Sequence, residues 1–154
     1  MAGTFSQIHI QAVFAVKYRE NLLQKPWREE LFKYISGIIT NKGQKSIIVN
    51  GVGDHVHVFF GLKPSLSVSD LLRDIKNNSS GFINDNKFLP GKFSWQEGFG
   101  AFSYSKSHVE RVYNYILNQE EHHRKKTFRE EYMEMLDLHG IPYEERFLFD
   151  WMGK

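Results

Sequence analysis

The order in which two hydrophobic periodicities follow each other most restricts the fold of this chain. Over residues 5–16, apolar side chains recur at every second position, which predicts a strand with one buried face. Residues 27–41 carry apolar side chains at helical spacing, and Gly43 is suited to the position after the helix end. Residues 45–52 and 54–62 are rich in β-branched and aromatic types, with glycines between them, and predict the two strands of a hairpin.

The second half of the chain continues this alternation of strands and helices. A helix is predicted over 67–83, and Ser67 opens it in a variant of the capping box. The Gly- and aromatic-rich stretch 92–105 predicts a fourth strand, and two helices follow over 107–123 and 127–139. This order predicts an α+β fold, a ferredoxin-like βαββαβ sandwich with an antiparallel sheet, followed by C-terminal helices.

Length and composition limit the class of protein. A chain of 154 residues that is 41% apolar and 15% aromatic fits one domain with a packed core. We expect residues 1–126 to form this domain and 127–154 to be a C-terminal helical extension of it. The absence of cysteine excludes disulfides, thiolate zinc sites and cysteine nucleophiles. Without a signal peptide or a run of ~18 apolar residues, a soluble cytoplasmic protein is expected.

Charge is distributed unevenly along the chain. Lys and Arg outnumber Asp and Glu by eight to four in residues 1–63 and by nine to seven in 64–126, whereas 127–154 hold three against seven. A basic body with an acidic tail permits a polyanionic partner, although a chance scatter of surface charge gives the same counts. His122 and His123 stand in a basic run at the end of a predicted helix, where the helix dipole favours positive charge.

The sharpest local feature is His55-Val56-His57 within a predicted strand. Side chains alternate along a strand, so both imidazoles emerge on one face with their Cα atoms ~6.6 Å apart. That spacing allows both rings to bind one metal ion. Two ligands do not make a metal site, so an ordinary hydrogen-bonded histidine pair is the alternative until a third ligand is found.

The predicted helix 107–123 is the place to look for that third ligand. Tyr115 and Gln119 stand four positions apart and therefore share one helix face. If the apolar side of the helix packs on the sheet, Gln119 can reach a metal held by the histidine pair, with the Tyr115 hydroxyl close by. Tyr113 is expected to face the core and Tyr104 lies on the preceding strand, so helical geometry favours Tyr115 as the reactive tyrosine without deciding it.

The histidine pair followed by Tyr115-Ile116-Leu117-Asn118-Gln119 resembles the two signatures of the single-tyrosine HUH transposases, the enzymes of the insertion sequence 200-like family. Residues 14–19, 95–103 and 118–123 resemble the same family, in order and at similar spacing. Phe99 departs mildly, since tyrosine is common there in the family. Residues 127–154 look like a tail found only in some members.

The resemblance implies a DNA transposase that cleaves and rejoins single-stranded DNA at insertion-sequence ends. Tyr115 is then the nucleophile, which forms a 5′-phosphotyrosine and releases a 3′-hydroxyl. A tyrosine with a pKa of ~10 is a poor nucleophile near neutral pH. His55, His57 and Gln119 are therefore expected to hold a divalent ion, Mg²⁺ or Mn²⁺, that stabilises charge on the phosphate.

The resemblance also implies DNA ends folded as hairpins, and a homodimer in which the tyrosine of one subunit can complete the metal site of the other. Lys17, Arg19 and Lys76 are candidates for phosphate contacts. Trp95 and Phe99 are candidates for stacking on unpaired bases. For each of these five residues, an ordinary surface cation or core aromatic is the alternative.

Three other functions fit fewer of these residues. A non-catalytic RNA-binding module on the same scaffold carries stacking aromatics where the histidine pair stands. A small metal-dependent oxygenase or hydrolase needs an acid soon after His57, and residues 58–63 contain none. A domesticated relative binds DNA hairpins without moving an element, and the presence of both Tyr115 and Gln119 favours retained cleavage instead.

Overall fold

The computed structural model describes residues 3–144 of the chain. Four strands pair antiparallel in the order β2-β3-β1-β4, which confirms the predicted ferredoxin-like sandwich. The elements along the chain are β1 His9–Ala15, α1 Lys25–Asn41, β2 Lys45–Val52, β3 His55–Gly61, α2 Val68–Asp85, β4 Gly100–Tyr104, α3 Val109–Leu117, α4 Gln119–His122 and α5 Phe128–Leu138. Among residues 3–144, no helix is both long and apolar enough to cross a membrane.

One face of the sheet is covered by α1 and α2 and forms the main apolar core. Alternate residues of β3, Val56, Val58 and Phe60, contribute to it and are fully buried. Helices α1 and α2 cover them with the following buried side chains: Leu31, Ile35, Ile39, Leu71, Leu72 and Ile75. Burial of this apolar surface supplies a large part of the folding free energy, and this interaction does not depend on direction.

The other face of the sheet is divided between α3 and α5. Val112 and Ile116 of α3 pack on Phe59 of β3. Helix α5 packs on β1 and β4 through Phe128, Tyr132, Met135 and Leu136. At Gly100 of β4 an added Cβ would lie 2.6 Å from the Tyr132 hydroxyl, so this glycine permits the close approach of α5. His55 and His57 of β3 also lie on this second face.

The fourth strand is shorter than the predicted 92–105. Regular pairing is confined to Gly100–Tyr104, and the preceding residues cross the sheet end with one isolated bridge between Val16 and Trp95. Gly98 has a positive φ of 85°, which turns the chain. The Lys76 ammonium donates hydrogen bonds to the carbonyls of Gln96 and Gly98, so these groups are satisfied outside the sheet.

The predicted helix 107–123 is interrupted at Asn118. Helix α3 ends at Leu117, Asn118 leaves helical geometry with φ −99° and ψ 28°, and α4 begins at Gln119. The side chain of Asn50 donates hydrogen bonds to the carbonyls of Ile116 and Leu117, at 2.9 and 3.2 Å. The last carbonyls of a helix lack intrahelical partners, so a residue of β2 satisfies two of them where α3 ends.

The face of α3 that is buried also differs from the prediction. Tyr113 was expected to face the core, yet it is 37% exposed, and Leu117 is 52% exposed. Helix α3 lies over β2 and β3 at the edge of the sheet, with Val112 and Ile116 at the contact. Because β2 is the edge strand, one side of the apolar stripe extends past the sheet into solvent.

Candidate active site

Strand β3 places His55 and His57 side by side beneath α3, α4 and α5. Both are fully buried, and their ring centroids lie 5.1 Å apart. The period of the strand puts them on one face, as predicted from the sequence. A buried imidazole needs a partner for each ring nitrogen, so the neighbouring groups determine what this pair can do.

His55 is oriented by an ion pair behind it. Its Nδ1 lies 2.7 Å from Asp54 Oδ1, and Arg19 donates to the other Asp54 oxygen at 2.8 Å. Burial disfavours the charged imidazole, but hydrogen bonds and charge from Asp54 and Glu131 outweigh it and raise the pKa of His55 to about 9. This arrangement directs Nε2 towards the interior of the site, as carboxylates do for histidine ligands of metals.

His57 is oriented by a second polar chain across the sheet. The Gln11 amide nitrogen lies 2.9 Å from His57 Nδ1, and the Gln11 amide oxygen accepts from the Tyr104 hydroxyl at 3.0 Å. Gln11 is 1% exposed. Burial lowers the pKa of His57, which favours the neutral ring. Because an amide nitrogen only donates, Nδ1 accepts from Gln11 here, and metal binding through Nε2 requires the Gln11 amide to present its oxygen to Nδ1 instead. Both histidines therefore point Nε2 to the same space.

Gln119 and Tyr115 of the same chain complete the group predicted from the sequence. Gln119 is fully buried at the start of α4, and its Oε1 lies 3.1 Å from His55 Nε2. Tyr115 is half-buried on α3, with its ring centroid 6.0 Å from that of His57. The break at Asn118 does not separate the two residues, because both still face the histidine pair.

A fifth residue, Glu131 of α5, lies at the centre of this group and was not predicted. Its Oε1 is 3.3 Å from Nε2 of His55 and 3.4 Å from Nε2 of His57. Its Oε2 accepts hydrogen bonds from the Gln119 amide, at 3.0 Å, and from the Tyr115 hydroxyl. The carboxylate is 3% exposed. Through its two oxygens it links the candidate nucleophile, Tyr115, to the two histidines.

The charge of Glu131 affects the groups around it. Burial raises the pKa of this carboxyl, but the surrounding imidazoles outweigh burial and lower it well below its usual range. Burial and the negative charge of Glu131 together raise the pKa of Tyr115 above its ordinary value. In this arrangement the Tyr115 hydroxyl is protonated and held as a hydrogen-bond donor.

His123 also contacts this carboxylate. Its Nε2 lies 3.0 Å from Glu131 Oε1, and its ring centroid is 4.7 Å from that of His55. The sequence-based interpretation of His123 as a cation at a helix terminus is therefore incomplete. His122 is exposed, and its ring packs against Tyr115 with centroids 4.6 Å apart.

The donor set fits a divalent metal ion. His55, His57 and Glu131 each offer a ligand atom, and these atoms lie within 4.8 Å of one another in a buried group. Two imidazole nitrogens with a carboxylate suit Mn²⁺, and the oxygen donors also suit Mg²⁺. The group can therefore bind such an ion.

The sequence matches a family profile over residues 4–119, and the description of that family is "Transposase IS200 like". The chain belongs to the IS200-like transposase family. The matched residues include His55, His57, Tyr115 and Gln119, whereas Glu131 lies beyond them. No curated protein matches the sequence.

Solved structures support the transposase fold. One is a protein from Deinococcus radiodurans R1 that is assigned as a transposase, with 21% identity and a TM-score of 0.62, covering 77% of this chain and 95% of that one. Another is a REP-associated tyrosine transposase bound to a REP hairpin, with 15% identity and a TM-score of 0.59, covering 80% of this chain and 74% of that one. At these identities the likeness establishes the fold.

Two cations expected to contact DNA are already engaged within this transposase. Arg19 pairs with Asp54 and lies over the Phe128 ring at 5.2 Å. The Lys76 ammonium is bound to backbone carbonyls, and burial lowers its pKa. Lys17 is exposed and remains a prediction as a phosphate contact.

The two aromatic candidates lie in or against the main core. Trp95 is 8% exposed, its indole donates to Ser79 Oγ at 2.9 Å, and Phe14 and Phe93 pack edge-on against it. Phe99 is half-buried against the same core. In this structure Trp95 presents no open ring face for a base, and the stacking role of Phe99 stays a prediction.

Open clefts lie on both sides of Tyr115. The cations that line them were not among the predicted DNA contacts. Arg111 and Lys126 line one cleft, and Lys125 and Lys126 line the other. All three are exposed. Acidic residues line the same clefts, and Lys126 pairs with Glu134 at 2.7 Å, so Arg111 and Lys125 are the candidate phosphate contacts there.

A sequence signal for Glu131 exists in the pattern of α5. Phe128, Glu131, Tyr132 and Met135 stand at positions i, i+3, i+4 and i+7, which is the buried stripe of an amphipathic helix. A carboxylate within an apolar stripe needs a buried partner. Without the fold, this residue looks like an ordinary acid in the first helical turn, where acids are common.

Proposed function

We propose that this transposase cleaves and rejoins single-stranded DNA through a 5′-phosphotyrosine on Tyr115, in a reaction that depends on a divalent metal. The observation that carries the proposal is the meeting of Tyr115, Gln119, His55 and His57 of one chain around one buried space. Family membership indicates the class of reaction, and these residues offer a nucleophile and metal ligands for it.

Tyr115 would perform the chemical step. Its hydroxyl oxygen attacks the phosphorus of a DNA phosphodiester, the bond to the 3′ oxygen breaks, and that oxygen leaves as a hydroxyl group. One ester replaces another, so no nucleotide cofactor is needed, and the reverse reaction rejoins a strand. The hydrogen bond to Glu131 holds the tyrosine hydroxyl at the edge of the site.

His55, His57 and Gln119 would hold Mg²⁺ or Mn²⁺, with Asp54 and Gln11 fixing the orientation of the two rings. A bound ion would stabilise the negative charge that develops on the phosphate. The clefts beside Tyr115, lined by Arg111, Lys125 and Lys126, would admit the DNA backbone.

A denaturing gel tests the proposal. Purified protein is mixed with labelled hairpin-bearing single strands taken from the DNA that flanks its gene, with Mg²⁺, Mn²⁺ or EDTA. We expect a covalent protein–DNA adduct with metal and none with EDTA. Tyr115→Phe should abolish the adduct and retain binding, whereas the exposed Tyr113→Phe should retain both. An adduct with Tyr115→Phe would move the nucleophile elsewhere.

The arrangement of subunits can be tested with two inactive variants. Tyr115 lies beside His57 of its own chain, so we expect His57→Ala and Tyr115→Phe to give no adduct when mixed. An adduct from the mixture would support the family-based expectation of a homodimer in which one subunit supplies the tyrosine to the other.

A hairpin-binding protein without cleavage is the second candidate, because one of the structural neighbours is bound to a REP hairpin. Tight hairpin binding with no adduct in any metal would favour it. The RNA-binding alternative needs an open sheet face, but here the face with the histidine pair is covered and both rings are fully buried.

A further inference from the structure

We propose that Glu131 of α5 is the anionic ligand of the metal ion, beside His55, His57 and Gln119. This inference rests on the metal dependence in the proposed function and adds a donor that the resemblance did not supply. Glu131 lies outside residues 4–119, the part that matches the family. The helix that follows the matched region would thus form part of the metal centre.

The separations between the donor atoms match those of ligands around one ion. Two atoms that are each about 2.1 Å from a metal lie about 3.0 Å apart at an angle of 90° and about 3.4 Å apart at 109°. Glu131 Oε1 lies 3.3 and 3.4 Å from Nε2 of His55 and His57, and Gln119 Oε1 lies 3.1 Å from His55 Nε2. The two carboxylate distances are long for hydrogen bonds between nitrogen and oxygen and also fit two ligands of one ion.

Electron pairs also converge at this point. Asp54 Oδ1 lies 2.7 Å from His55 Nδ1 and accepts a hydrogen bond from it, so Nε2 is the nitrogen of this ring that can bind a metal ion. Nε2 faces Gln119 Oε1 and Glu131 Oε1, and both of these atoms are acceptors. Without metal a proton on Nε2 satisfies them, and a bound ion would take the place of that proton.

The buried charge calls for the same compensation. Glu131 is a carboxylate that is 3% exposed, and the groups paired with its Oε1 are the imidazoles of His55, His57 and His123. A buried carboxylate needs a compensating positive charge, which a protonated imidazole can supply without metal but which rings bound to a metal as neutral ligands cannot. A divalent ion would balance it, and a hard carboxylate oxygen extends the choice of metals to Mg²⁺.

The position of the carboxylate is fixed by the packing of its helix. Phe128 stacks on the His55 ring with centroids 3.9 Å apart, and Tyr132 packs against Gly100 of β4. Thr127 and Glu130 form a complete capping box at the start of α5. Glu131 is therefore held on a rigid element, and its second oxygen holds the Tyr115 hydroxyl beside the metal ligands.

Calorimetric titration of the full-length chain with MnCl₂ tests the inference. Glu131→Gln keeps the shape of the side chain and removes its charge, so we expect the Mn²⁺ affinity to fall by at least ~10-fold. Glu134→Gln, on the exposed side of the same helix, should leave the affinity unchanged. Unchanged or tighter binding by Glu131→Gln would overturn the inference and leave Glu131 as a hydrogen-bond partner of the histidines.

Hydrogen exchange on the unmodified protein gives a second readout that does not depend on a variant folding. If Glu131 binds the ion, Mn²⁺ should increase the protection of the α5 amides, because the ion ties α5 to β3. If the ion displaces Glu131 from the imidazoles, or does not touch it, protection would fall or stay constant, which overturns the inference.

His57→Ala separates this inference from the proposed function. Loss of Mn²⁺ binding in His57→Ala with full binding in Glu131→Gln would overturn the role of Glu131 alone. Absence of Mn²⁺ binding by the unmodified protein would overturn both the inference and the proposed metal dependence.

Discussion

The two faces of strand β3 are equally buried but are built from different chemistry. Val56, Val58 and Phe60 face α1 and α2 in an apolar core, whereas His55 and His57 face α3, α4 and α5. Apolar contacts are non-directional, so that core needs only suitable volumes and shapes. Each imidazole instead needs a particular partner in a particular direction. Burial alone therefore does not distinguish the face of the apolar core from the face of the candidate active site.

The largest effect is expected from a substitution on the polar face of β3. His57→Ala should abolish both adduct formation and Mn²⁺ binding, because it removes a proposed metal ligand and the partner of Gln11, while the α1–α2 core remains intact. Adduct formation is read on denaturing gels and folding by near-ultraviolet circular dichroism. The exposed His108→Ala is the control and should behave as the unmodified protein. Retained Mn²⁺ binding in His57→Ala would place the metal elsewhere.

The next largest effect concerns the apolar face. Phe60→Ala should lower the free energy of unfolding by about 3–5 kcal/mol, because it leaves a cavity between β3 and the helices. Urea unfolding measures this loss. The folded fraction should still bind Mn²⁺ with ordinary affinity, since Phe60 lies on the opposite face from His57. A large fall in metal affinity would show that the two faces are coupled.

Metal addition should stabilise the protein through the polar face alone. At a concentration of 100 times Kd, Mn²⁺ should raise the free energy of unfolding by about 2.7 kcal/mol. EDTA should reverse this rise. The same increment is expected in Phe60→Ala and none in His57→Ala, as measured by thermal unfolding. An increment in His57→Ala would indicate binding outside the site.

The smallest effects are expected at two helix caps, one on each side of the sheet. Thr127 caps α5 and Ser67 caps α2, each accepting from the backbone amide three residues on. Replacing either by alanine should cost about 1 kcal/mol in urea unfolding. Thr127→Ala should also weaken Mn²⁺ binding, because α5 carries Glu131, whereas Ser67→Ala should leave it unchanged. Equal metal affinities would mean that fraying of α5 does not reach Glu131.

Much of the fold was predictable because its periodicities are local. The alternation in β3 predicted that His55 and His57 share a face, and the helical spacing predicted that Tyr115 and Gln119 lie together. The positive φ of 79° at Gly43 also agrees with its predicted place after α1. These features depend on neighbours within a few residues, which one sequence displays directly.

The unpredicted features depend on residues distant in the chain. Asn50 of β2 binds the carbonyls at the end of α3, where the helix is interrupted, and nothing near residue 118 indicates this contact. Gln11 of β1 contacts His57 of the neighbouring strand β3. Glu131 is 76 positions from His55, and only the packing of α5 on β1 and β4 brings it to the site.

The place of α5 in the chain has a consequence for biosynthesis. A ribosome makes the four strands, both core helices, Tyr115 and Gln119 before it makes Glu131. Chains generally fold from the N-terminal side during translation, so the sheet can form while this carboxylate is still missing. A nascent or prematurely terminated chain that ends before α5 would then have its histidine pair uncovered, and the candidate active site would be completed only after the sheet has been made.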